Sequence, residues 1–246
     1  MSALVVEDVR MRFGGLIALQ DIQMDVLQGE RRAIIGPNGA GKSTLFNIIA
    51  GDVLPSEGRV LLNGIDVTQF PPYKRVSRGL RRTYQTSALF DTLTVSENLY
   101  LGALGPDGAA HFNMSRLAAA PAVVRRAELA AEAVRLTGRR RARAGDLSHG
   151  ERRQLEIGLA IANEPRLILL DEPAAGLSAD ERYLITELLL GLDRAMTVML
   201  IEHDMEIALT VGERVTVLHE GAVIAEGTPA SISANPLVQQ VYLGRR

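Results

Sequence analysis

Residues 36–44 constrain this chain more than any other segment. They read GPNGAGKST, which matches the pattern G-x-x-x-x-G-K-[ST] of a phosphate-binding loop. A predicted buried strand over 32–35 precedes the loop, and apolar residues recur at helical spacing after it until Gly51. This order of strand, loop and helix supports the pattern, because successive backbone N–H groups and the positive end of the helix then surround a phosphate.

The residue types in this loop predict specific contacts with a nucleotide. We expect Lys42 to hold the β- and γ-phosphates of ATP and Ser43 to ligate Mg²⁺. The residues predicted to bind the nucleotide are Gly36, Pro37, Asn38, Gly39, Ala40, Gly41, Lys42, Ser43 and Thr44. A glycine turn without a ligand is the alternative, but it would not need the lysine and the hydroxyls that follow it.

Two carboxylates follow an apolar strand that is predicted over 167–170. They are Asp171 and Glu172. On its own, an acidic pair after an apolar strand is usually only a solvated strand end. Together with a phosphate loop, the pair supplies what the loop lacks, since Asp171 can enter the magnesium shell and Glu172 can act as the general base that polarises the attacking water.

A second candidate anion site lies at residues 148–151, which read SHGE at the start of a helix predicted over 151–163. Ser148 is predicted to cap this helix, and Glu151 to complete a capping box. Most boxes of this kind are caps and nothing more. However, unpaired N–H groups and the helix dipole at such an end also favour a phosphate, so the residues alone leave both interpretations open.

The rest of the chain predicts an α/β fold. The segment 95–144 is rich in Ala, Leu, Arg and Glu, and we expect it to be mostly helical and to form a separate lobe. The other predicted segments are an antiparallel start over 4–13 and 22–26, a hairpin over 58–67 around Asn63-Gly64, a strand over 197–201 that ends at Glu202-His203-Asp204, and a terminal hairpin over 215–225.

Composition excludes several classes of function. The formal net charge of −2 gives no bulk basic surface for nucleic acid. The chain has no cysteine, which excludes disulfide frameworks, cysteine-bound zinc and thiol catalysis and fits a reducing compartment. Neither a signal peptide nor an apolar run of the ~20 residues needed to cross a bilayer is found. We therefore expect a cytoplasmic protein that reaches a membrane only through partners.

In their order along the chain, GPNGAGKST, LSHGE, LILLDEP and His203 resemble the motifs of ABC ATPases. The resemblance covers essentially the whole chain. It implies that Phe13 stacks on adenine, that Gln85 is the Q-loop glutamine at the magnesium ion and catalytic water, and that His203 contacts the γ-phosphate. It also implies that Ser148 and Gly150 bind the γ-phosphate of a nucleotide held by the opposite subunit.

The resemblance implies a fold and an assembly. The expected fold is a single domain over 1–246, an α/β P-loop NTPase core of the ABC ATPase type at 1–94 and 165–246, with an N-terminal antiparallel β layer and an inserted α-helical subdomain at 95–164. ATP, with Mg²⁺, is expected between two such subunits, identical or paralogous. No role with nucleic acid is expected.

Within this family, FGGLIAL, RRTYQTSALF, EHDM and VYLG resemble the importers of branched-chain amino acids, whose relatives also import urea and short amides. The partners implied are two transmembrane permease subunits and, indirectly, a periplasmic solute-binding protein. The chain is then expected to lie at the cytoplasmic face of the inner membrane, as a peripheral subunit.

Three residues depart from the family pattern. His149 and Glu151 stand where many relatives carry glycine and glutamine, and Ser178 stands where the D-loop usually has aspartate. Ser148 and Gly150, the phosphate-facing residues, are retained. The departure at Ser178 therefore makes coupling between subunits by this loop less certain than hydrolysis.

Two other classes of protein contain a phosphate loop of this kind. A soluble ABC ATPase of translation or chromosome repair is expected to carry two cassettes or a long heptad-patterned coiled coil, and neither pattern is found in this sequence. A P-loop kinase would leave LSHGE and His203 without a role. The sequence therefore favours the ATPase subunit of a transporter.

Overall fold

Two β-sheets and nine α-helices contain most of the residues that the structure, a computed structural model, describes: 1–83, 89–109 and 121–243. The strands are β1 (Ser2–Phe13), β2 (Leu16–Leu27), β3 (Arg31–Ile35), β4 (Glu57–Leu62), β5 (Ile65–Asp66), β6 (Leu80–Arg82), β7 (Leu167–Asp171), β8 (Thr197–Ile201), β9 (Arg214–His219) and β10 (Ala222–Gly227). The helices are α1 (Lys42–Ala50), α2 (Pro72–Val76), α3 (Val95–Ala109), α4 (Pro121–Ala133), α5 (His149–Ile161), α6 (Ala179–Gly191), α7 (Met205–Val211), α8 (Pro229–Ser233) and α9 (Pro236–Leu243).

The N-terminal strands form an antiparallel sheet in the order β2-β1-β4-β5. Buried and exposed residues alternate along most of β2, because one face of the sheet packs against the core and the other meets solvent. Asn63 and Gly64 turn the chain between β4 and β5 with φ of 49° and 78°, in the left-handed region that an Asn-Gly pair accepts at low cost. The predicted antiparallel start and its hairpin are confirmed.

The second sheet has the order β10-β9-β3-β8-β7-β6, with β10 as its antiparallel edge and parallel pairing elsewhere. Every residue of β3, β7 and β8 is buried, as expected for parallel strands covered on both faces. Because β3, β8 and β7 are neighbours, their carboxyl ends meet at one edge of the sheet. The segments that follow them, 36–44, 171–172 and 202–204, are therefore brought to the same edge.

Helices α3, α4 and α5 pack together, and their buried apolar residues belong to one cluster with residues of the central strands. Helix α5 begins with the capping box predicted from sequence, since the Glu151 amide donates to Ser148 Oγ (3.2 Å) and the Ser148 amide donates to Glu151 Oε2 (2.9 Å). Over the ranges that the structure describes, none of the helices has both the length and the apolar character required to cross a membrane.

A fully buried arginine anchors the helix that follows the phosphate loop. Arg75 donates to the carbonyl oxygens of Ile48 (2.6 Å) and Ile49 (2.8 Å) at the carboxyl end of α1, and to those of Thr68 and Phe70. Burial lowers the pKa of Arg75 to about 10, so the guanidinium remains charged at neutral pH. A cation at the negative end of α1 stabilises the helix whose other end carries Lys42.

Candidate nucleotide site

A cleft of about 430 Å³ opens over the phosphate loop. It is lined by Phe13, Leu16, Ile17, Ala18, Asn38, Gly39, Ala40, Gly41, Lys42, Ser43, Thr44, Glu172 and His203. Phe13 is 50% exposed, so its ring is a wall of the cleft and not part of the core. The tertiary structure thus gathers residues that are up to 190 positions apart in the sequence, from Phe13 to His203.

The loop itself is tightly packed beneath this cleft. Gly41 has φ of 103°, and a Cβ atom there would lie 2.7 Å from Leu19 Cδ2 and 2.8 Å from the Ala18 carbonyl oxygen, so only glycine fits. Lys42 Nζ donates to the carbonyl oxygens of Gly36 (2.6 Å) and Pro37 (3.0 Å). Burial lowers the pKa of the Lys42 ammonium, while the charges of Glu172 and Asp171 act in the opposite direction.

Asp171 ends β7 with one carboxylate oxygen paired and the other unpaired. Its Oδ2 accepts from Arg82 Nη2 (2.9 Å). Its Oδ1 is buried and has no hydrogen-bond partner among the described residues. A buried, unpaired carboxylate oxygen is costly unless something binds it, and a hard divalent cation prefers such an oxygen ligand. The residues at this strand end therefore fit a Mg²⁺ ion.

Glu172 and His203 are in direct contact at the edge of the cleft. Glu172 Oε1 lies 2.5 Å from His203 Nε2, and the side chains are 19% and 45% exposed. Glu172 has φ of 49°, and its amide donates to the carbonyl oxygen of Ile201 in the neighbouring strand (3.0 Å). This unusual backbone directs the Glu172 carboxylate into the cleft, where it can accept a proton from water.

The other predicted site residues lie elsewhere. Ser148 and Gly150 are at the amino-terminal end of α5, and neither lines the cleft of their own chain. Ser148 is exposed. Gln85 lies outside the described residues, so its predicted role at the metal stays a prediction.

Within the described part of the chain, no group of three or more His, Cys, Asp or Glu residues could hold a metal ion by themselves.

Comparison with known proteins identifies the family. The sequence model of the ABC transporter family matches residues 19–175, and that of the "branched-chain amino acid ATP-binding cassette transporter" family matches residues 222–246. The chain is 37% identical to the high-affinity branched-chain amino acid transport ATP-binding protein BraF of Pseudomonas aeruginosa, over 98% of this chain and 97% of that protein.

The chain belongs to the ABC transporter family of ATP-binding proteins.

The fold of this ABC ATPase agrees with the family. It is 35% identical to the branched-chain amino acid transport ATP-binding protein LivG of Escherichia coli, over 98% of this chain and 97% of that protein. A solved ATP-binding cassette of an ABC transporter, in its ADP conformation, superposes with a TM-score of 0.88 at 32% identity and covers 100% of both chains. The predicted fold class is confirmed, and so is the prediction of an ATPase that binds nucleotide.

Two arginines contribute to the site of this ABC ATPase, although the sequence did not single them out. Arg82 binds Asp171 and also donates to Asn47 Oδ1 on α1 (2.7 Å). Arg153 on α5 donates to the carbonyl oxygens of Asp171 (3.1 Å), Glu172 and Pro173 (2.8 Å). Their places within RRTYQ and LSHGERRQ were the only available signal, because their partners are distant in sequence.

Glu202 is a buried carboxyl group directly before His203. It is 3% exposed, and its Oε1 accepts from the Ala174 amide (3.0 Å) just beyond Glu172. Burial raises the pKa of Glu202 to about 7, against the backbone hydrogen bonds from Ala174 and His203, which lower it. Glu202 therefore links the turn that carries Glu172 to the strand end that carries His203.

Glu202 should make the stability of this ABC ATPase depend on pH. The pKa is raised from 4.5 to about 7 on folding, so this contribution to stability is fully present below pH 4.5 and is lost as the pH rises through about 7. Relative to Glu202→Gln, which cannot ionise, the wild-type free energy of unfolding should fall by up to about 3 kcal/mol across this window.

Urea unfolding of both proteins at pH 5, 6, 7 and 8 measures this difference. Glu206→Gln, which removes an exposed carboxylate four residues along the chain, is the matched control and should show no such trend. A difference between wild type and Glu202→Gln that does not change with pH would contradict the assignment.

Proposed function

We propose that this ABC ATPase is the motor subunit of a membrane importer for branched-chain amino acids or related small hydrophilic solutes such as urea or amides. The observation that carries the proposal is the match along nearly the whole chain to BraF and LivG, together with the separate match of residues 222–246 to the branched-chain amino acid family. The general ABC transporter match ends at residue 175 and does not include that terminal segment.

In the proposed site, ATP lies in the cleft with its phosphates on the loop at 36–44 and its adenine on Phe13. The Lys42 ammonium then exchanges its bonds with the loop carbonyls for the β- and γ-phosphates. The exposed ring of Phe13 and the buried ammonium of Lys42 support this orientation. Charge-assisted hydrogen bonds of this kind are among the stronger contacts available to a phosphate.

Mg²⁺ is proposed to be held by Ser43, Asp171 and, beside the attacking water, Gln85. When bound, the cation would neutralise negative charge on the β- and γ-phosphates. Arg82 occupies Oδ2 of Asp171, so Oδ1 is the oxygen that would ligate the ion. Glu172 polarises the attacking water and takes up its proton, while His203 holds the Glu172 carboxylate in place and contacts the γ-phosphate.

The site is proposed to be completed by a second ATPase subunit, identical or paralogous. Ser148 and Gly150 of that subunit would contact the γ-phosphate through the amino-terminal end of α5, where helix N–H groups and the helix dipole favour an anion. The position of these residues away from their own cleft supports an arrangement between two chains. ATP binding then supplies the free energy that closes the two subunits on each other, and hydrolysis lets them separate again.

The proposed partners are two transmembrane permease subunits and, indirectly, a periplasmic solute-binding protein, with the ATPase peripheral at the cytoplasmic face of the inner membrane. Permease partners as such follow from membership in an ABC transporter. We further propose that residues 1–94 and 165–246 form a RecA-like nucleotide-binding core with its antiparallel β layer and that residues 95–164 form a helical subdomain.

Co-purification tests the importer proposal. The neighbouring genes are first searched for two multi-span membrane proteins and a secreted binding protein. The tagged chain is then expressed together with these candidate permease genes and is purified from detergent-solubilised membranes. We expect a stable complex whose ATP turnover rises when the neighbouring binding protein is added with leucine, urea or acetamide. A chain that stays in the soluble fraction, with turnover indifferent to every permease and binding protein, would contradict the proposal.

A further inference from the structure

The amide of Gly150 already has an anionic acceptor within its own chain. Its N–H donates to Glu181 Oε1 on α6, at 3.0 Å. Gly150 is the residue that the proposed function assigns to the partner's γ-phosphate. A single N–H group cannot make a full hydrogen bond to both a carboxylate and a phosphate.

The side chain of Glu181 also covers Gly150 sterically. A Cβ atom placed on Gly150 would lie 2.6 Å from Glu181 Oε1 and 2.9 Å from both Cγ and Cδ. Gly150 is buried, whereas Ser148 and His149 beside it are exposed. A phosphate that approaches the end of α5 therefore meets the Glu181 carboxylate before it can reach this amide.

Glu181 is held in this position by Ser178, the residue that departs from the family pattern in the D-loop (residues 175–178). Its Oε2 accepts from the Ser178 amide (3.0 Å) and from Ser178 Oγ (2.9 Å), and its own amide donates to Ser178 Oγ (3.4 Å), which completes a capping box at the start of α6. These hydrogen bonds lower the pKa of Glu181, with smaller contributions from the Gly150 amide and from His149. The carboxyl group is therefore charged at neutral pH.

The second departure, His149, lies beside the same loop, at Gly176. A Cβ atom on Gly176 of the D-loop would lie 3.3 Å from His149 Cε1. Within one chain, the Gly150 amide is thus bonded to a carboxylate that Ser178 of the D-loop holds, and His149 leaves little space beside Gly176.

We propose that Glu181 is an internal substitute for the terminal phosphate, which occupies the Gly150 amide in the separate subunit and must be displaced when the partner's nucleotide arrives. This inference rests on the proposed composite site. Its consequence is a higher ATP requirement for closure, because the incoming phosphate must compete with a tethered like charge. Displaced Glu181 still caps α6 through Ser178, so the start of α6 remains folded while the link between α5 and the D-loop is broken.

The experiment measures ATP-dependent dimerisation in a Glu172→Gln background, where slow hydrolysis preserves the closed state. Glu181→Gln is added to this parent, because glutamine is accepted in a capping box but carries no charge. Analytical ultracentrifugation over a series of Mg-ATP concentrations should show the dimer at an ATP concentration at least about fivefold lower than in the parent. Glu181→Ala, which leaves the Gly150 amide without its carboxylate, should shift the midpoint in the same direction.

Asp180→Asn is the matched control, since it removes the same charge from the exposed neighbouring residue of α6, and it should leave the midpoint within about twofold of the parent. Thermal unfolding verifies that each variant is folded. A parent that dimerises while neither Glu181 variant does so at lower ATP overturns the inference and leaves the proposed function intact. A parent that does not dimerise at any ATP concentration overturns both.

Discussion

Replacing Glu172 with Gln should lower ATP turnover by about 10²–10⁴-fold while ATP binding is retained, because glutamine cannot accept the proton of the attacking water. The Glu172 carboxylate lies in the cleft beside His203 Nε2, and the Glu172 backbone amide is hydrogen-bonded to the adjacent strand. Phosphate release measures turnover, and equilibrium binding of a fluorescent ATP analogue measures affinity. With hydrolysis blocked, the variant should accumulate as an ATP-bound dimer in the presence of Mg²⁺.

Glu206→Gln is the control for this experiment, because it removes an exposed carboxylate close to the same strand end. Its turnover should stay within about twofold of the wild type. Normal hydrolysis by Glu172→Gln, without an ATP-trapped dimer, would show that another group activates the water and that the mechanism is wrong.

Mixing two inactive variants should restore activity if each site is built from two chains. Lys42→Ala removes the cation of the phosphate loop, and Ser148→Arg blocks the end of α5 with a large side chain at an exposed position. In a dimer with one copy of each, one composite site carries both changes and the other carries neither. A one-to-one mixture should therefore recover about a quarter of the wild-type turnover, since half of the dimers are mixed and each has one intact site.

Differently tagged variants and sequential affinity purification verify that mixed dimers form. The control is the double variant Lys42→Ala/Ser148→Arg mixed with either single variant, which leaves no intact site and should remain inactive. If the mixture of the two single variants is shown to contain mixed dimers and yet is inactive, the phosphate loop and Ser148 do not act in the same site. That result would contradict the composite site.

Local sequence patterns were sufficient for the elements that depend on neighbouring residues. The phosphate loop, the Ser148-Glu151 capping box and the Asn63-Gly64 turn involve residues within a few positions of one another, and the structure forms each of them. Their physical causes are local: a tight backbone turn needs glycine, and a helix end needs a side-chain acceptor. The family and fold class could also be predicted, because several such patterns occur in a fixed order along the chain.

Contacts between distant residues could not be predicted in the same way. Three contacts depend on how the strands and helices pack: the link from Arg75 to the end of α1, the pairing of Arg82 with Asp171, and the hydrogen bond from the Ala174 amide to buried Glu202. An arginine or a glutamate in these positions looks like any exposed charge in the sequence. Only desolvation and a specific partner distinguish it, and both arise from the tertiary structure.

By itself, the sequence determined which residues are chemically able to bind phosphate, ligate Mg²⁺ and activate water, because those abilities belong to residue types and their local spacing. The tertiary structure decided which of them meet. It placed β3, β8 and β7 side by side so that Lys42, Glu172 and His203 line one cleft, and it set Glu181 on the amide of Gly150, 31 residues away. Strand order and helix packing follow from burial over the whole chain, which no short motif contains.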